Sequence, residues 1–210
     1  ILPSNKTSLI CHNDFINKNR ATIKSGDVQI VSLNGNIINQ TFAQTSKTQI
    51  GANDFTYTLL GKQSSIQSTN GNLVLQANKN IENIGASLEA SKNLALITQT
   101  GDVNLKAIKL EDGHNFTYAK GFNKALDVEY KVSDLKGDNV IINSGHDLNA
   151  QASKINATNQ INLNASNDVN ITALNDVHYT DVQTSSKGFM SKKSSRDMSY
   201  KEEVNSDNYL

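Results

Sequence analysis

Aliphatic residues alternate with polar ones in short runs that recur along the whole chain. Gly26-Asp27-Val28-Gln29-Ile30, Gly71-Asn72-Leu73-Val74-Leu75, Gly101-Asp102-Val103-Asn104-Leu105 and Asn167-Asp168-Val169-Asn170-Ile171 share one form. A small or polar residue is followed by Asn or Asp, then an aliphatic, any residue and a second aliphatic. Period two places both aliphatics on one face of a β-strand. Helices are not expected, because apolar positions do not recur at three and four residues and β-branched residues with Asn and Thr fill the runs. Each run is far too short to be stable alone, so the spacing between runs decides the architecture.

Three columns of strand-opening residues emerge. The first is Val28, Ile50, Leu73, Leu94, Phe116, Val140 and Ile161; the second is Ile37, Leu59, Ile81, Val103, Leu126, Leu148 and Val169. The third is Phe42, Ile66, Leu88, Leu110, Val132, Ile155 and Val177. Neighbours within a column lie about 22 residues apart, which predicts an all-β solenoid: a right-handed parallel β-helix with three short strands per turn. Seven such turns would make a rod about 34 Å long. An antiparallel sandwich also uses short strands but does not by itself impose this period.

Polar residues precede the columns: Asp27, Gln49, Asn72, Asn93, Asn115, Asn139 and Gln160 ahead of the first, and Asn36, Asn80, Asp102, Asp147 and Asp168 ahead of the second. Asn and Asp tolerate left-handed backbone angles and bond nearby amides, so they suit corners between strands. Stacked at one corner, their side chains are expected to bond along the rod axis. A row of Ca²⁺ or sugar ligands is the competing reading. The Gly-Gly-x-Gly-x-Asp nonapeptide of calcium β-rolls is absent, which favours the structural one.

Alternation weakens in two places, residues 42–65 and 111–138. Over the second of these a distorted turn or a protruding hairpin, turning near Lys120-Gly121, is favoured over a regular rung. The organisation expected is an incomplete first turn or cap over 1–24, with Ile10, Phe15 and Ile23 facing in, then β-helix over 25–182. A polar excursion, hairpin or mobile tail is expected over 183–210. One or two hairpins or loops should leave the rod.

Composition agrees with a thin rod. Hydrophobic residues make up 37% and aromatics 6%, with no Trp, too little to fill a compact sphere of 210 residues. Asn is about one residue in seven, but a single Pro and regular Ile, Leu and Val runs argue against disorder. Twenty basic and twenty acidic residues balance, so no electrostatic case for nucleic acid exists. No apolar run approaches the ~18 residues of a membrane-spanning helix. The chain opens at Ile1 without a signal-peptide pattern, and any export signal is expected upstream.

Candidate chemistry is sparse. His12, His114, His146 and His178 fall at different column positions and are not expected to converge on one metal. Cys11 and His12 are adjacent and would face opposite ways in a strand, which makes a poor nucleophile pair. Glycan-cleaving β-helices need clustered carboxylates on one outer face, whereas Glu82, Glu89, Asp102 and Glu111 are scattered. No catalytic site, cofactor or metal is therefore expected. Lys187, Lys192, Lys193 and Arg196, with Phe189 and Met190 between them, form the one candidate contact for a partner or a membrane surface.

The repeat resembles the haemagglutinin-repeat region of filamentous haemagglutinins and of contact-dependent growth-inhibition effectors. The residues that carry it are Gly35-Asn36-Ile37-Ile38-Asn39-Gln40, Asn80 to Leu88, and Gly145 to Ile155, with Ser186-Lys187-Gly188-Phe189 and Lys192-Lys193 similar to a polar excursion after such a repeat. Asn or Lys stands where those proteins often carry Gly. The resemblance implies a secreted, structural rod at a bacterial cell surface, exported by an outer-membrane two-partner secretion transporter. It further implies a part in displaying or delivering a C-terminal toxin to neighbouring bacteria. An adhesin shaft that binds a host receptor or glycan is the alternative, and a glycan-cleaving enzyme a distant third.

Overall fold

A computed structural model describes residues 5–189 and 191–204. It is a parallel β-helix of six coils, from which three β-hairpins project. The first face stacks Lys6–Cys11, Asp27–Ser32, Leu73–Ala77, Asn93–Thr98 and the later halves of Ser133–Ser144 and Ser153–Ala165. The second stacks Phe15–Lys18, Ile37–Gln40, Ile81–Ile84, Val103–Lys106, Leu148–Gln151 and Val169–Thr172. Thr22–Ser25, Ser65–Ser68, Ser87–Ala90 and the earlier halves of the two long strands build the third.

Period-two patterning becomes the core directly. Val28, Leu73, Leu94 and Val140 lie in one ladder, and Ile37, Ile81, Val103 and Leu148 in another, all buried. Leu94 pairs with Leu73 and Val140 with Ile161, so the coils expected to be neighbours are neighbours. In the first coil Phe15 and Ile23 pack against the core. Ile10 does not. Leu9 pairs with the buried Ile30 and takes the inward position, and the period-two pleat turns Ile10 outward.

Seven expected turns become six because three column segments are hairpins. Ala43–Ile50 pairs with Asn53–Leu60, Ile108–Tyr118 with Gly121–Lys131, and Asn175–Gly188 with Ser191–Val204. Ile50, Leu59, Leu110, Phe116, Leu126 and Val177 therefore belong to hairpins, not to the solenoid. The second hairpin turns at Ala119-Lys120, beside the expected Lys120-Gly121. The third opens at Asn175, so the expected boundary at 182 falls within its first strand.

All three hairpins leave the corner between the second and third faces, in coils two, four and six. In coils one, three and five that corner closes through left-handed residues: Asn19 and Arg20, Gly85, and Ala152. Gly85 needs its missing side chain, because a Cβ there would press on Ile108. The alternation has a geometric cause. A hairpin is two strands wide, and strands and coils share the same spacing of about 4.8 Å. Hairpins from every second coil thus abut without gap or overlap, forming one six-stranded antiparallel sheet.

Polar ladders hold the corners. The N–H of Asn36 donates to Asp14 Oδ1 (2.7 Å), that of Asn80 to Asn36 Oδ1 (3.1 Å), and that of Asp102 to Asn80 Oδ1 (2.9 Å). Asp147 then donates to Asp102 Oδ1 (3.1 Å) and Asp168 to Asp147 Oδ1 (3.0 Å). Every coil contributes one rung. Inside the core a second ladder runs from Asn17 to Asn39 (2.8 Å) to Asn83 (2.7 Å) and ends on Ser133 Oγ (2.6 Å).

Candidate functional site

The hairpin sheet is where the chain presents side chains that the rod does not need. Strand lengths grow along the rod, from 8 to 11 to 14 residues. The second hairpin ends level with Thr184, where Gly121 pairs and Ser185 N–H donates to Lys120 O (2.6 Å). Beyond that point Ser186 to Lys193 stands out as a two-stranded overhang.

The overhang carries most of the candidate contact residues. Lys187 pairs directly with Lys192, and Ser186 with Lys193. Phe189, in the turn, is fully exposed, while Met190 lies outside the described residues. From Val182 to Arg196 the sequence has four basic residues and no acidic one, so the overhang is uniformly cationic. Like charges placed opposite each other in a sheet are unfavourable. An anionic partner would relieve that cost.

Arg196 differs from the lysines. Its guanidinium grips the buried Asp181 carboxylate in a fork, with Nε to Oδ1 at 2.8 Å and Nη2 to Oδ2 at 2.7 Å. The same group lies 5.8 Å from the Phe122 ring centre, and Lys124 Nζ lies 5.0 Å from it. Hydrogen bonding from Arg196, and then from Tyr179, holds the Asp181 carboxyl below its ordinary range. Arg196 thus clamps the two strands of the third hairpin together and reaches the second hairpin through the Phe122 ring.

Nearer the first two hairpins, one face of the sheet gathers aromatics. Cross-strand partners share a face, which brings Phe55 beside His114 and places Phe116 one step along. Phe55 and Phe116 meet edge to face at 5.1 Å, and His114 lies 4.5 Å from Phe116. Tyr57 and Tyr118 are exposed on this same face. The hairpin favoured over 111–138 puts Phe116 outside the rod, but the sequence pattern does not pair it with Phe55.

The four histidines stay apart and take local partners: His12 with Asn34, His114 with Asn123, His146 with Asp102 and His178 with Asp127. Asp102, His146 and Asp147 do bring three ligand atoms within 4.8 Å. Their oxygens already serve the corner ladder, through the Asp147 and Asp168 amides. The Asp102 hydrogen bond, then the Asp147 charge, raises the His146 pKa above its ordinary 6.5. The stability this pairing adds is present below that value and lost as pH rises through the raised one. Exposure keeps the effect small. Asp102→Asn should return the His146 titration, followed by NMR, toward 6.5; an unmoved titration would contradict this assignment.

Glu89 and Glu111, two of the carboxylates singled out in the sequence, take local partners. Glu89 accepts from Gln67 (3.0 Å) and faces Lys136 (3.5 Å), while Glu111 is held by Lys109 on a hairpin. Burial raises the Asp134 pKa, but Lys154, Lys131 and Lys136 surround it with positive charge. Cys11 donates to the Asn13 carbonyl (3.1 Å), away from His12.

Residues 128–202 match the family model described as Hemagglutinin repeat. That stretch runs from the end of the second hairpin through the third-face strand of coil four and coils five and six into the third hairpin. The match suggests a structural, adhesin-like segment of a secreted exoprotein. No curated protein and no solved structure matches the chain.

Proposed function

We propose, from the filamentous-haemagglutinin-type repeat region at residues 128–202, that this chain is a stiff shaft segment of a secreted exoprotein that helps present or deliver a C-terminal toxin to neighbouring bacteria. The parent chain leaves its own cell through an outer-membrane two-partner secretion transporter and meets the target cell's surface. The work of the segment is mechanical. Aliphatic ladders and parallel backbone bonds form coil by coil, so the rod folds progressively from one end without disulfides or a bound cofactor. No helix among the described residues is long and apolar enough to cross a membrane.

The observation that carries the reading is the cationic overhang of the third hairpin. It sets Lys187, Lys192, Lys193 and the fully exposed Phe189 beyond the rest of the sheet. Such a tip suits an anionic outer surface. A second reading, an adhesin shaft, draws on the exposed Tyr57 and Tyr118 beside the Phe55–Phe116 stack, since sugars and receptors pack on such rings.

Charge reversal at Lys187, Lys192 and Lys193 in the parent exoprotein tests both. Surface labelling should show normal export, and growth inhibition of co-cultured targets should fall at least about tenfold, the loss of ~1.4 kcal/mol of contact energy. Unchanged inhibition, with adhesion lost on Tyr57→Ala and Tyr118→Ala, would replace delivery by adhesion.

A further inference from the structure

We infer that the outer surface of the first face is a self-association surface, on which a second copy of this chain lies side by side with the first. The inference is independent of what the parent exoprotein does.

Period two decides which residues of each strand point away from the core. On the first face two outward columns run along the rod, one from Ser8 to Asn162 and the other from Ile10 to Asn164. Val31, Val74, Ala95, Ile97 and Ile141 form a diagonal apolar band across them. All five are part-exposed, and all lie in coils two to five, away from both ends of the rod. Leu33, 51% exposed, extends the band at the corner. Apart from Ile10, the other outward residues of these columns are Ser, Gln and Asn, so neither column carries a charge. The other two faces differ. Lys18, Glu82 and Lys106 point outward from the second, and Lys24, Glu89, Asp134, Lys136 and Lys154 from the third.

Three arguments make a second copy the occupant. The first is charge. A strongly charged partner or an anionic membrane finds no counter-charge here, whereas two neutral faces meet without repulsion, as the centres of stable interfaces do. Asparagine amides on this face are already bonded along the rod: Asn93 to Asn72 (2.8 Å), Asn139 to Asn93 (2.7 Å) and Asn164 to Asn143 (3.0 Å). Covering them therefore costs less than covering free amides.

The second argument is shape. Coils stacked in direct register present parallel ridges about 4.8 Å apart, and another copy of the same face carries ridges of the same spacing. The three hairpins leave at the corner between the second and third faces, opposite this one, and so do not obstruct it.

The third is area. Six coils about 4.8 Å apart, with strands of about six residues rising ~3.3 Å each, give roughly 550 Å² on each copy. Two copies then bury about 1,100 Å², just above the ~1,000 Å² that a specific contact needs. A dissociation constant on the order of 10 μM suits an interface of that size. The same patch meets itself, so the contact is isologous and closes at two copies.

Sedimentation equilibrium over a hundredfold concentration range, spanning about 1–100 μM, tests this. The wild-type chain should pass from monomer to dimer and stop there. Val74→Lys and Ile141→Lys should each raise the dissociation constant at least about a hundredfold, because two-fold symmetry places the buried charge in the interface twice. Both side chains already reach solvent, and circular dichroism verifies folding. Asn149→Lys, outward on the second face, should dimerise as the wild type does. An apolar contact should also hold when sodium chloride is raised tenfold, whereas one made through the lysines of the third hairpin would weaken. A wild-type chain monomeric throughout, mass that grows beyond two copies, association lost in salt, or Ile141→Lys and Val74→Lys dimerising unchanged would each overturn the inference.

Discussion

Leu94→Ala is expected to destabilise the chain by about 2–5 kcal/mol, whereas Ile50→Ala should cost no more than about 0.5 kcal/mol. The two residues open runs in the same sequence column, and on pattern alone they are equivalent. Leu94 is fully buried between Leu73 and Val140, where truncation leaves a cavity that two stacked neighbours cannot fill. Ile50 ends a hairpin strand and is 64% exposed. Chemical denaturation followed by far-UV circular dichroism gives both values. Equal losses would mean that residues 43–60 form a rung, and the six-coil architecture would be wrong.

Asn39→Ala is the second large effect, and its cost comes from stranded partners more than from lost packing. The Asn39 amide donates to Asn83 Oδ1 and to the Ser87 carbonyl (3.1 Å), and its oxygen accepts from Asn17. All three asparagines are buried. Removing the middle one leaves several buried polar groups unpaired, at about 1–3 kcal/mol each. Asn170 also belongs to an asparagine stack, donating to Asn149 Oδ1 (3.1 Å), but it is exposed and water replaces its partner. Asn170→Ala should therefore be nearly neutral. Similar midpoints for Asn39→Ala and the unaltered chain would show that the internal ladder contributes nothing.

The internal ladder explains an apparent flaw in the second column. Asn17, Asn39 and Asn83 fill inward positions that Leu105, Ala150 and Ile171 fill in later coils. A polar residue at a core position normally counts against a strand. Here each amide also caps a carbonyl at the corner into the third face: Ser65, Ser87 and Ala86 respectively. The cost of burial is offset by bonds that a leucine cannot make.

The hairpins were harder to read, for a reason of arithmetic. Ile37, Val103 and Val169 open the second-face strand of coils two, four and six, and they lie 66 residues apart each time. Two coils with one hairpin thus span the same length as three coils of 22. Hairpin strands also alternate with period two, so Leu59 and Leu126 fell on the column grid. One signal did separate them. The residue ahead of each is Thr58 or Ala125, where true rungs of that corner carry Asn or Asp. A hairpin has no corner there to hold.

The sequence by itself determined the parallel β-helix, the faces buried in most of its strands and the Asn and Asp ladder at the second corner. Those follow from period-two alternation and from the backbone preferences of single residues, which are local properties. Tertiary structure alone decided which 22-residue segments close into coils and which leave as hairpins. It also joined Arg196 to Phe122 and Phe55 to Phe116, across 74 and 61 residues. The reason is that strand and coil spacings are equal: a hairpin finds its place only beside hairpins two coils away, and no local run of residues encodes that neighbour.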